Sequence, residues 1–354
     1  MATGASMSQR VLVTGGAGFI GSNLASALAG HGDRVVVFDN LSRRGTERNL
    51  EWLRRSFPTH VEFVRGDVRD ARAVEAAAQG VEGIFHLAGQ VAVTTSVANP
   101  REDFEVNALG TLNVLEAARK APGRVPVLFT STNKVYGGLE GLQIVERDRY
   151  YALADGSPGV DEAWLLDFHS PYGCSKGCAD QYVRDFYRIY HLPTVVFRMS
   201  CIYGPRQFGT EDQGWVAHFM ISTALDSGLT IYGDGKQSRD ILHVEDLVRA
   251  MLTAMDRIDQ TAGRIYNIGG GPENRLSLLE LLTDLDARIG RPLHPTFSDW
   301  RLGDQRVYVS DIRRARAEFG WAPRLGVREG LNHLWKWIVD HADEIRTARG
   351  GTEG

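Results

Sequence analysis

The chain has 354 residues, of which 43% are hydrophobic and 24% are charged, and its formal net charge is −4. This length accommodates one large domain or two interlocked ones, and the composition is ordinary for a globular protein. The slight acidity gives no reason to expect a nucleic-acid partner, and no apolar run approaches the roughly 20 residues of a membrane-spanning helix. The N-terminal segment lacks the pattern of a signal peptide, and the three cysteines form neither a disulfide framework nor a metal-ligand cluster. We therefore expect a cytoplasmic protein with no metal site and no membrane contact.

The first half of the chain alternates short apolar runs with helical patterns, which predicts βαβ units and a parallel sheet. Strands are predicted over residues 11–14, 34–38, 60–65, 83–87, 125–130 and 194–198. Helices are predicted over residues 23–29, 103–120 and 171–190. Because the strands are almost continuously apolar, both faces of the sheet should be covered. The predicted fold class is therefore α/β, a Rossmann-like doubly wound parallel sheet.

The pattern changes in two places. Residues 137–169 form a long connection that carries acidic and aromatic residues, and connections of this length are usually functional or disordered. Beyond the sixth strand, glycine-rich turns and shorter helices follow, up to an amphipathic helix at 327–338. We predict a first domain over residues 8–200, rejoined by 236–265, and a smaller α/β substrate-binding lobe formed by residues 201–235 and 266–345.

A glycine-rich turn joins the first strand to the following helix, in the sequence VLVTGGAGFIGSNL. A tight turn needs Gly15, close approach of a pyrophosphate needs Gly18, and close helix–sheet packing needs Gly21. The helix N-terminus that follows favours negative charge. Because the glycines lie between a predicted strand and a predicted helix, the pattern indicates dinucleotide binding more than an ordinary turn.

Asp39 ends the second strand, where a carboxylate accepts hydrogen bonds from the adenosine ribose and repels a 2′-phosphate. This position favours NAD over NADP. Arg43 and Arg44 follow closely and keep NADP open as an alternative. Asp67, after the third strand, has two interpretations, a contact beside the adenine or a simple turn residue.

Tyr172 and Lys176 are spaced so that both lie on one face of a helix. A neighbouring ammonium stabilises a phenolate, which makes a tyrosine usable as a general acid–base. Such a pair also occurs on ordinary surface helices, but lysine is rare here, at positions 120, 134, 176, 236 and 336. Ser131 and Thr132 end the fifth strand, where ligands bind in doubly wound folds, and a hydroxyl there can contact the reacting oxygen. Together with the glycine turn, these residues predict a redox site.

With these motifs the chain resembles the extended short-chain dehydrogenases/reductases that act on nucleotide sugars. The resemblance runs through VLVTGGAGFIGSNL, FHLAG, TSTNKVYG, SPYGCSK, YGPRQ and RDILHVEDL to the C-terminal lobe. It implies NAD as the cofactor and the catalytic positions Thr132, Tyr172 and Lys176. The implied cofactor-binding residues are Gly15, Gly18, Phe19, Ile20, Gly21, Asp39, Asn40, Asp67, Val68, Leu87, Ala88, Gly89, Asn107, Ser131 and Lys176.

The resemblance also implies a substrate site, formed by Gln90, Thr132, Asn133, Tyr172, Cys201, Gln213, Tyr232, Arg239, Arg301 and Asp304. In the family, arginines matching Arg239 and Arg301 clamp the sugar-nucleotide diphosphate, which suits their forked guanidinium groups. Tyr232 and Asp304 match positions near the base and the ribose. Cys201 stands where the family usually has an asparagine, which puts the diphosphate contact at this position in doubt.

The residues after the catalytic threonine bear on the reaction. Dehydratases and decarboxylases of the family carry acidic residues there, whereas this chain carries Asn133 and Lys134. Elimination of water is therefore disfavoured, and oxidation followed by reduction of the opposite face, which is epimerisation, fits better. Lys134 has two interpretations, a substrate-contacting cation or a surface lysine.

Further segments resemble one group within the family, the CDP-paratose (CDP-tyvelose) 2-epimerases. These are FDNLSRRG, HLAGQVAVTTS, STNKVYG, LDFHSPYGCSKG, RQFGTEDQGWV and GDQRVYVSDI. The resemblance implies a CDP-hexose substrate, direct oxidation at C2, and Tyr172 taking the C2 hydroxyl proton. Gln90, Gln213 and Trp215 are candidates for setting the sugar's pose.

Three alternatives remain open: a UDP-hexose or UDP-hexuronate 4-epimerase, a sugar-nucleotide dehydratase, and a non-catalytic NAD-binding relative. The family resemblance also implies a homodimer or homotetramer, since the helices predicted over 103–120 and 171–190 resemble those that pair into a four-helix interface.

Overall fold

The computed structural model describes residues 8–154, 156–301 and 304–350. The elements up to the fifth strand are β1 (Arg10–Thr14), α1 (Phe19–Gly30), β2 (Arg34–Asp39), α2 (Thr46–Ser56), β3 (Val61–Arg65), α3 (Ala71–Ala77), β4 (Gly83–His86), α4 (Val93–Ala98), α5 (Pro100–Phe104), a π-helical turn (Glu105–Leu109), α6 (Gly110–Lys120), β5 (Val127–Thr132) and a 3₁₀ turn (Asn133–Tyr136).

The remaining elements are β6 (Ile144–Glu146), β7 (Tyr151–Leu153), α7 (Ser170–Tyr190), β8 (Thr194–Met199), β9 (Cys201–Tyr203), α8 (Trp215–Ala224), β10 (Thr230–Tyr232), β11 (Ser238–His243), α9 (Val244–Asp256), α10 (Ile258–Thr261), β12 (Arg264–Ile268), a 3₁₀ turn (Pro272–Asn274), β13 (Arg275–Ser277), α11 (Leu278–Ile289), β14 (Thr296–Ser298), β15 (Val307–Tyr308), α12 (Arg313–Phe319), α13 (Val327–Asp340) and α14 (Ala342–Ala348). No helix within the described ranges has the length and apolar character to cross a membrane.

A seven-stranded parallel sheet forms the centre of the described chain, in the order β12-β8-β5-β4-β1-β2-β3. The prediction of a doubly wound α/β fold is confirmed. Strand order reverses direction between β1 and β4, and in such sheets ligands bind at this switch point, beyond the carboxyl ends of the strands.

Both faces of the sheet are covered because its strands are apolar on both sides. Val11 and Val13 of β1 point into one core, which includes side chains from α1 and α9. Leu12, one residue out of phase, points into the opposite core with side chains from α3, α6 and α7. This alternation follows from the period of two along a strand. The sheet is thereby fixed from both sides, which holds its carboxyl edge rigid for the site.

A second lobe packs around its own core of α8, α11 and α13. Its strands form a small sheet in the order β13-β11-β15, with β9 also pairing with β11, and a separate two-stranded sheet of β10 and β14. The amphipathic helix predicted over 327–338 is confirmed as α13. The exact division of the chain into lobes stays a prediction. Strand β12 belongs to the central seven-stranded sheet, and α12 packs against that sheet and not in the core of the second lobe.

Three elements differ from the sequence-based expectation for local reasons. The fifth strand begins later than predicted, because Pro126 has no backbone N–H to donate to a sheet ladder. The helix predicted over 103–120 is interrupted by the π-helical turn Glu105–Leu109, and π-turns are frequent at functional sites. The long connection over 137–169 contains the hairpin of β6 and β7.

Candidate active site

A cavity of about 440 Å³ opens at the carboxyl ends of the central strands, at the switch point of the sheet. Of the residues predicted to bind the cofactor, those that line it are Gly15, Gly18, Phe19, Ile20, Gly21, Asp39, Asn40, Asp67, Val68, Leu87, Ala88, Gly89, Ser131 and Lys176. Gln90, Tyr172 and Gln213 line it as well, so the structure brings first-lobe and second-lobe candidates to one space.

The glycine turn forms the floor of this cavity. Gly15 has a positive φ of 68°, and a Cβ atom there would lie 2.7 Å from the backbone nitrogen of Ala88. A Cβ atom at Gly21 would clash with the carbonyl oxygen of Gly15. Helix α1 then begins after Gly18 with no side-chain cap and no acidic residue in its first turn. Its first backbone N–H groups are therefore available to an anion, as a pyrophosphate site requires.

Asp39 lies at the rim where the second strand ends. Its carboxylate accepts backbone hydrogen bonds from Ala17 at 3.1 Å and from Leu41 at 2.8 Å. Burial raises the pKa of Asp39, and these backbone N–H groups act against that rise. A carboxylate has about four acceptor sites, so Asp39 can still accept a hydrogen bond from a ribose hydroxyl, as expected for this position.

Asp67 is held by its neighbours. Arg69 donates to both of its carboxylate oxygens at 2.7 to 2.9 Å, and Asn40 donates to it at 2.9 Å. The hydrogen bond from Arg69 is the largest cause that lowers the pKa of Asp67, to about 2. Asp67 is thus both a turn residue and a residue of the cavity wall, which combines the two interpretations of the sequence.

Tyr172 and Lys176 lie one turn apart on α7, and both are buried. The Lys176 ammonium donates to the carbonyl of Thr130 at 2.5 Å and lies 4.2 Å from the ring centre of Phe129. Burial lowers the pKa of Lys176 to about 7, against the nearby charges of Asp180 and Asp103. This lysine therefore has a proton that it can lose near neutral pH.

Burial raises the pKa of the Tyr172 phenol to about 12. A hydrogen bond with the side chain of Thr132 and the charge of Arg43 act in the lowering direction, and Asp103 acts against them. The effect of Lys176 on the Tyr172 pKa stays a prediction, and the structure adds Arg43 as a second cation that acts on this phenol. The Thr132–Tyr172 contact does bring together the two hydroxyls predicted to share the reacting proton.

Asn107 lies beneath the cavity, outside its lining, in the π-helical turn. Its amide donates to Ser175 at 3.0 Å, to Asp103 at 3.2 Å and to the carbonyl of Gln90 at 3.1 Å. Ser175 in turn donates to Asp103 at 2.5 Å. Asn107 is buried in this turn, and its network connects the π-helical turn to α7 and to the backbone of Gln90 at the cavity wall.

A second buried network connects the glycine strand to the same helix. Thr111 donates to the Asn107 carbonyl at 2.6 Å, so the Nε2–H of His86 donates to Thr111 at 3.0 Å. The Thr14 hydroxyl then donates to Nδ1 of His86 at 2.7 Å and accepts from the backbone of Ala88. Burial, followed by the charge of Lys176, lowers the pKa of His86 to about 3. His86 is therefore neutral and serves to position the backbone around the cavity.

One buried group in this cavity has no protein partner among the described residues. The Ser131 hydroxyl is buried and lines the cavity, yet none of those residues forms a hydrogen bond with it. An unpaired buried hydroxyl carries a free-energy cost that a bound ligand can remove. This hydroxyl, the glycine floor and the Asp39 carboxylate together fit a dinucleotide such as NAD.

The substrate side of the site begins at Asn133, beside the catalytic threonine. The Thr132 hydroxyl lies 3.4 Å from the Asn133 amide oxygen, and the Asn133 amide donates to Gln305 at 3.4 Å. Gln305 is itself anchored to the carbonyl of Gly137 at 2.5 Å. Asn133 is thus a buried, neutral neighbour of the catalytic hydroxyl.

Lys134 is partly buried, in the electrostatic range of Arg239, Asp304 and Cys201. Burial, followed by the charge of Arg239, lowers the pKa of Lys134 to about 8. The sequence left open whether Lys134 is a surface lysine, and the structure places it partly buried near Arg239 and Asp304; its contact with substrate stays a prediction.

The two predicted diphosphate arginines have separate partners. Arg239 is buried and donates to Asp304 at 2.7 Å. Arg301 lies 4.0 Å over the ring of Tyr232 and forms ion pairs with Glu211 at 3.3 Å and Asp212 at 3.5 Å. Leu302 and Gly303, which separate Arg301 from Asp304, lie outside the described residues.

Three candidates for setting the sugar's pose turn out to have protein partners. Both amide atoms of Gln90 form hydrogen bonds with the backbone of Ala92. Gln213 accepts a hydrogen bond from Arg43 in the cofactor cavity. The Trp215 indole donates to the Cys201 sulfur at 3.4 Å. Their roles toward substrate stay predictions.

Comparison with known proteins identifies the family of the chain. Residues 11–269 match the NAD dependent epimerase/dehydratase family. The chain belongs to this family. A CDP-paratose 2-epimerase from Salmonella typhi is 45% identical over 335 residues, which cover 93% of this chain and 98% of that protein. A UDP-glucose 4-epimerase from Mycolicibacterium smegmatis is 37% identical over 91% of this chain and 96% of its own length.

Solved structures of this family share the fold. A UDP-glucose 4-epimerase from Thermotoga maritima, in complex with UDP-glucose, has a TM-score of 0.80 at 31% identity, covering 94% of this chain and 99% of its own. A dTDP-glucose 4,6-dehydratase from Streptomyces venezuelae, with NAD bound, has a TM-score of 0.82 at 29% identity, covering 96% and 99%. NAD is the cofactor of the family, and the glycine floor, Asp39 and Ser131 of this chain fit it.

The NADP alternative depended on two arginines near Asp39. In the structure the guanidinium of Arg43 contacts Gln213, and that of Arg44 contacts the carbonyl of Arg349 at 3.4 Å. Neither forms an ion pair with Asp39 in the described part of the chain. The arginines that suggested a 2′-phosphate site therefore serve other contacts.

Two features of the site were missed by sequence reasoning. Arg43 lines the cofactor cavity and contacts Gln213, whereas the sequence suggests it only for NADP. Glu211 accepts hydrogen bonds from both Tyr232 and Arg301. Glu211 lies in RQFGTEDQGWV, one of the segments that carry the family resemblance. A carboxylate in a loop, however, has no periodicity that would distinguish it as a functional residue.

Proposed function

We propose that the chain is an NAD-dependent epimerase of a nucleotide-linked hexose, and that it interconverts CDP-paratose and CDP-tyvelose by inverting C2. The similarity to the Salmonella typhi CDP-paratose 2-epimerase, which extends over 98% of that protein, supports this substrate. The observation that carries the reaction class is the pair Asn133 and Lys134. These residues place an amide and an amine beside Thr132, where elimination of water would need a carboxylate base.

Bound NAD supplies a reversible two-electron oxidation of a carbinol. Tyr172 takes the proton of the carbinol hydroxyl when the carbon is oxidised and returns it when the opposite face is reduced. Thr132 forms a hydrogen bond with the same oxygen, since its hydroxyl already contacts that of Tyr172. Burial raises the pKa of Tyr172 to about 12, and the hydrogen bond with Thr132 and the charge of Arg43 act in the lowering direction.

The position of inversion follows from the chemistry of a 3-deoxy sugar. A ketone at C4 acidifies C3 and C5 and leaves C2 untouched, so inversion at C2 requires oxidation at C2 itself. The sugar must therefore bind with C2 beside Tyr172.

The diphosphate lies on the opposite side of the sugar, toward the buried guanidinium of Arg239 and the ammonium of Lys134. Two neighbouring cations, neutralised here in part by Asp304, suit a group with two negative charges. Arg301 and Tyr232 extend the same surface toward the nucleoside.

A substrate panel resolved by NMR tests the proposal. CDP-paratose, UDP-glucose, UDP-glucuronate and dTDP-glucose are each incubated with the enzyme, with Tyr172→Phe as a control. We expect conversion of CDP-paratose to CDP-tyvelose and no other product. Inversion of a UDP-sugar at C4 would instead assign the second candidate, which the similarity to UDP-glucose 4-epimerases favours. Loss of water from dTDP-glucose, or no turnover of any sugar, would contradict an epimerase.

We further propose a cytoplasmic homodimer or homotetramer. The two helical regions predicted to pair expose large apolar side chains, namely Phe104, Leu109, Tyr182, Ile189 and Tyr190. Burial of such a patch in an interface would remove it from water. The three cysteines are free thiols, as a reducing compartment allows. Light scattering coupled to size-exclusion chromatography tests the assembly, and a monomer would contradict it.

A further inference from the structure

Two segments from different lobes meet over the cofactor cavity. The loop after β2 contributes Arg43, and the segment before α8 contributes Gln213, 170 residues away. The guanidinium of Arg43 donates to the side-chain oxygen of Gln213, and both residues line the cavity. This contact therefore joins the two lobes at the cofactor site.

The charge of Arg43 lacks a carboxylate partner at ion-pair distance within the described chain. Its contact is with the neutral amide of Gln213, and the carboxylate of Asp39 and the phenol of Tyr172 line the same cavity. These two residues lie at opposite ends of the cavity, since Asp39 receives the adenosine ribose and Tyr172 the reacting centre. Arg43 lines the same cavity as these two residues, and its side chain is exposed to it.

Two independent features of the cofactor cavity favour the binding of an anion. The first turn of α1 presents uncapped backbone N–H groups with no acidic side chain to occupy them. Arg43, on a different element, contributes a full positive charge to the same cavity. A guanidinium group and a helix N-terminus facing one space suit a group with two phosphates.

We propose that Arg43 holds the pyrophosphate of NAD and that Gln213 positions the arginine for it, so that the second lobe retains the cofactor. This role replaces both the NADP interpretation of Arg43 and the sugar-pose interpretation of Gln213. It requires only that the chain bind NAD, and it does not depend on which sugar is the substrate.

The segment that carries Gln213 also contacts the substrate side. Glu211 and Asp212, which directly precede it, form ion pairs with Arg301. Residues 211–213 thus contact two guanidinium groups, that of Arg43 in the cofactor cavity and that of Arg301 at the nucleoside end of the proposed substrate site. An epimerase needs its cofactor to remain bound through oxidation and reduction, and this segment provides a contact that closes the cavity from the second lobe.

Nucleotide binding tests the proposal without relying on turnover. The protein is freed of nucleotide, and binding of NAD, NADP, ADP-ribose and adenosine is measured by titration calorimetry for the wild type, Arg43→Met and Gln213→Leu. Arg44→Met is the matched control, because Arg44 is the adjacent arginine and contacts the carbonyl of Arg349 instead of the cavity. Circular dichroism and thermal melting establish that each variant is folded.

We expect Arg43→Met to weaken NAD and ADP-ribose binding by about tenfold to a hundredfold, the effect of losing one charged hydrogen-bond partner, and to leave adenosine binding unchanged. Gln213→Leu should weaken NAD binding by a smaller factor, and it should have no further effect when Arg43 is already methionine. The affinity of Arg44→Met should equal that of the wild type. Unchanged NAD binding in a folded Arg43→Met protein would overturn the proposal, as would an equal loss of adenosine binding. A loss confined to NADP would also overturn it, because that result would assign Arg43 to a 2′-phosphate.

Discussion

Lys134 offers the sharpest test of how the substrate side works. Its ammonium is partly buried near Arg239 and Asp304, and burial lowers its pKa to about 8. Replacing it by methionine keeps most of the packing and removes the charge. A hydrogen bond from a charged group contributes about 1.5 to 3 kcal/mol, and each 1.4 kcal/mol corresponds to a factor of ten. We therefore expect Lys134→Met to weaken binding of CDP and of the CDP-sugar by about tenfold to a hundredfold.

The pH dependence of binding gives this prediction a sign. Below pH about 8 the Lys134 amine carries its proton and attracts the diphosphate, and above that pH the charge is lost. Wild-type affinity for CDP should therefore fall as the pH rises above about 8. Because a bound diphosphate stabilises the ammonium, it raises the pKa of Lys134 in the complex. Lys134→Met should lack this step. Titration calorimetry between pH 7 and 9.5 measures both effects.

The control for Lys134→Met is Lys120→Met, since Lys120 is an exposed lysine at the end of α6. This control should bind CDP as the wild type does. Wild-type affinity in Lys134→Met at pH 7, or a fall with pH that persists without Lys134, would refute the assignment of this lysine to the substrate site.

Three further predictions address catalysis, cofactor binding and stability. Tyr172→Phe should lower kcat by about a hundredfold to ten-thousandfold with NAD content preserved, because it removes a proton-transfer group, and a rate near wild type would exclude Tyr172 as the acid–base. Gly21→Ala should abolish retention of NAD after gel filtration, because its Cβ would clash with the Gly15 carbonyl; full NAD content would show that the turn tolerates the change. Asp180→Asn should lower the free energy of unfolding by about 3 to 5 kcal/mol, since it leaves the Arg198 guanidinium buried without its ion pair; urea denaturation measures this, and a loss below 1 kcal/mol would contradict it.

The cofactor half of the site was predictable because its rules are local. The glycine turn, Asp39 and the Tyr172–Lys176 pair each depend on a few residues within one strand, turn or helix. Their positions relative to one another then follow from the doubly wound sheet, which brings all strand ends to one edge. The structure accordingly places these residues around a single cavity.

Contacts between residues far apart in the sequence were not predictable in the same way. Arg43 of the first lobe contacts Gln213 of the second across 170 residues, and Arg301 contacts Glu211 within the second lobe across 90. Such contacts depend on how distant segments pack together, which no local pattern encodes. The π-helical turn at Asn107 is a similar case, because one extra residue shifts the helix face without changing the apolar pattern that predicts a helix.

The proposed mechanism requires that C2 of the sugar is oxidised and then reduced within the site. CDP-paratose carrying deuterium at C2 tests it most directly, with the product analysed by NMR and mass spectrometry in ordinary water. We predict that the inverted product keeps its deuterium at C2, because the same hydrogen leaves and returns without exchange. Loss of the label to solvent would contradict the account, since it would show that inversion proceeds by removal of a proton from carbon.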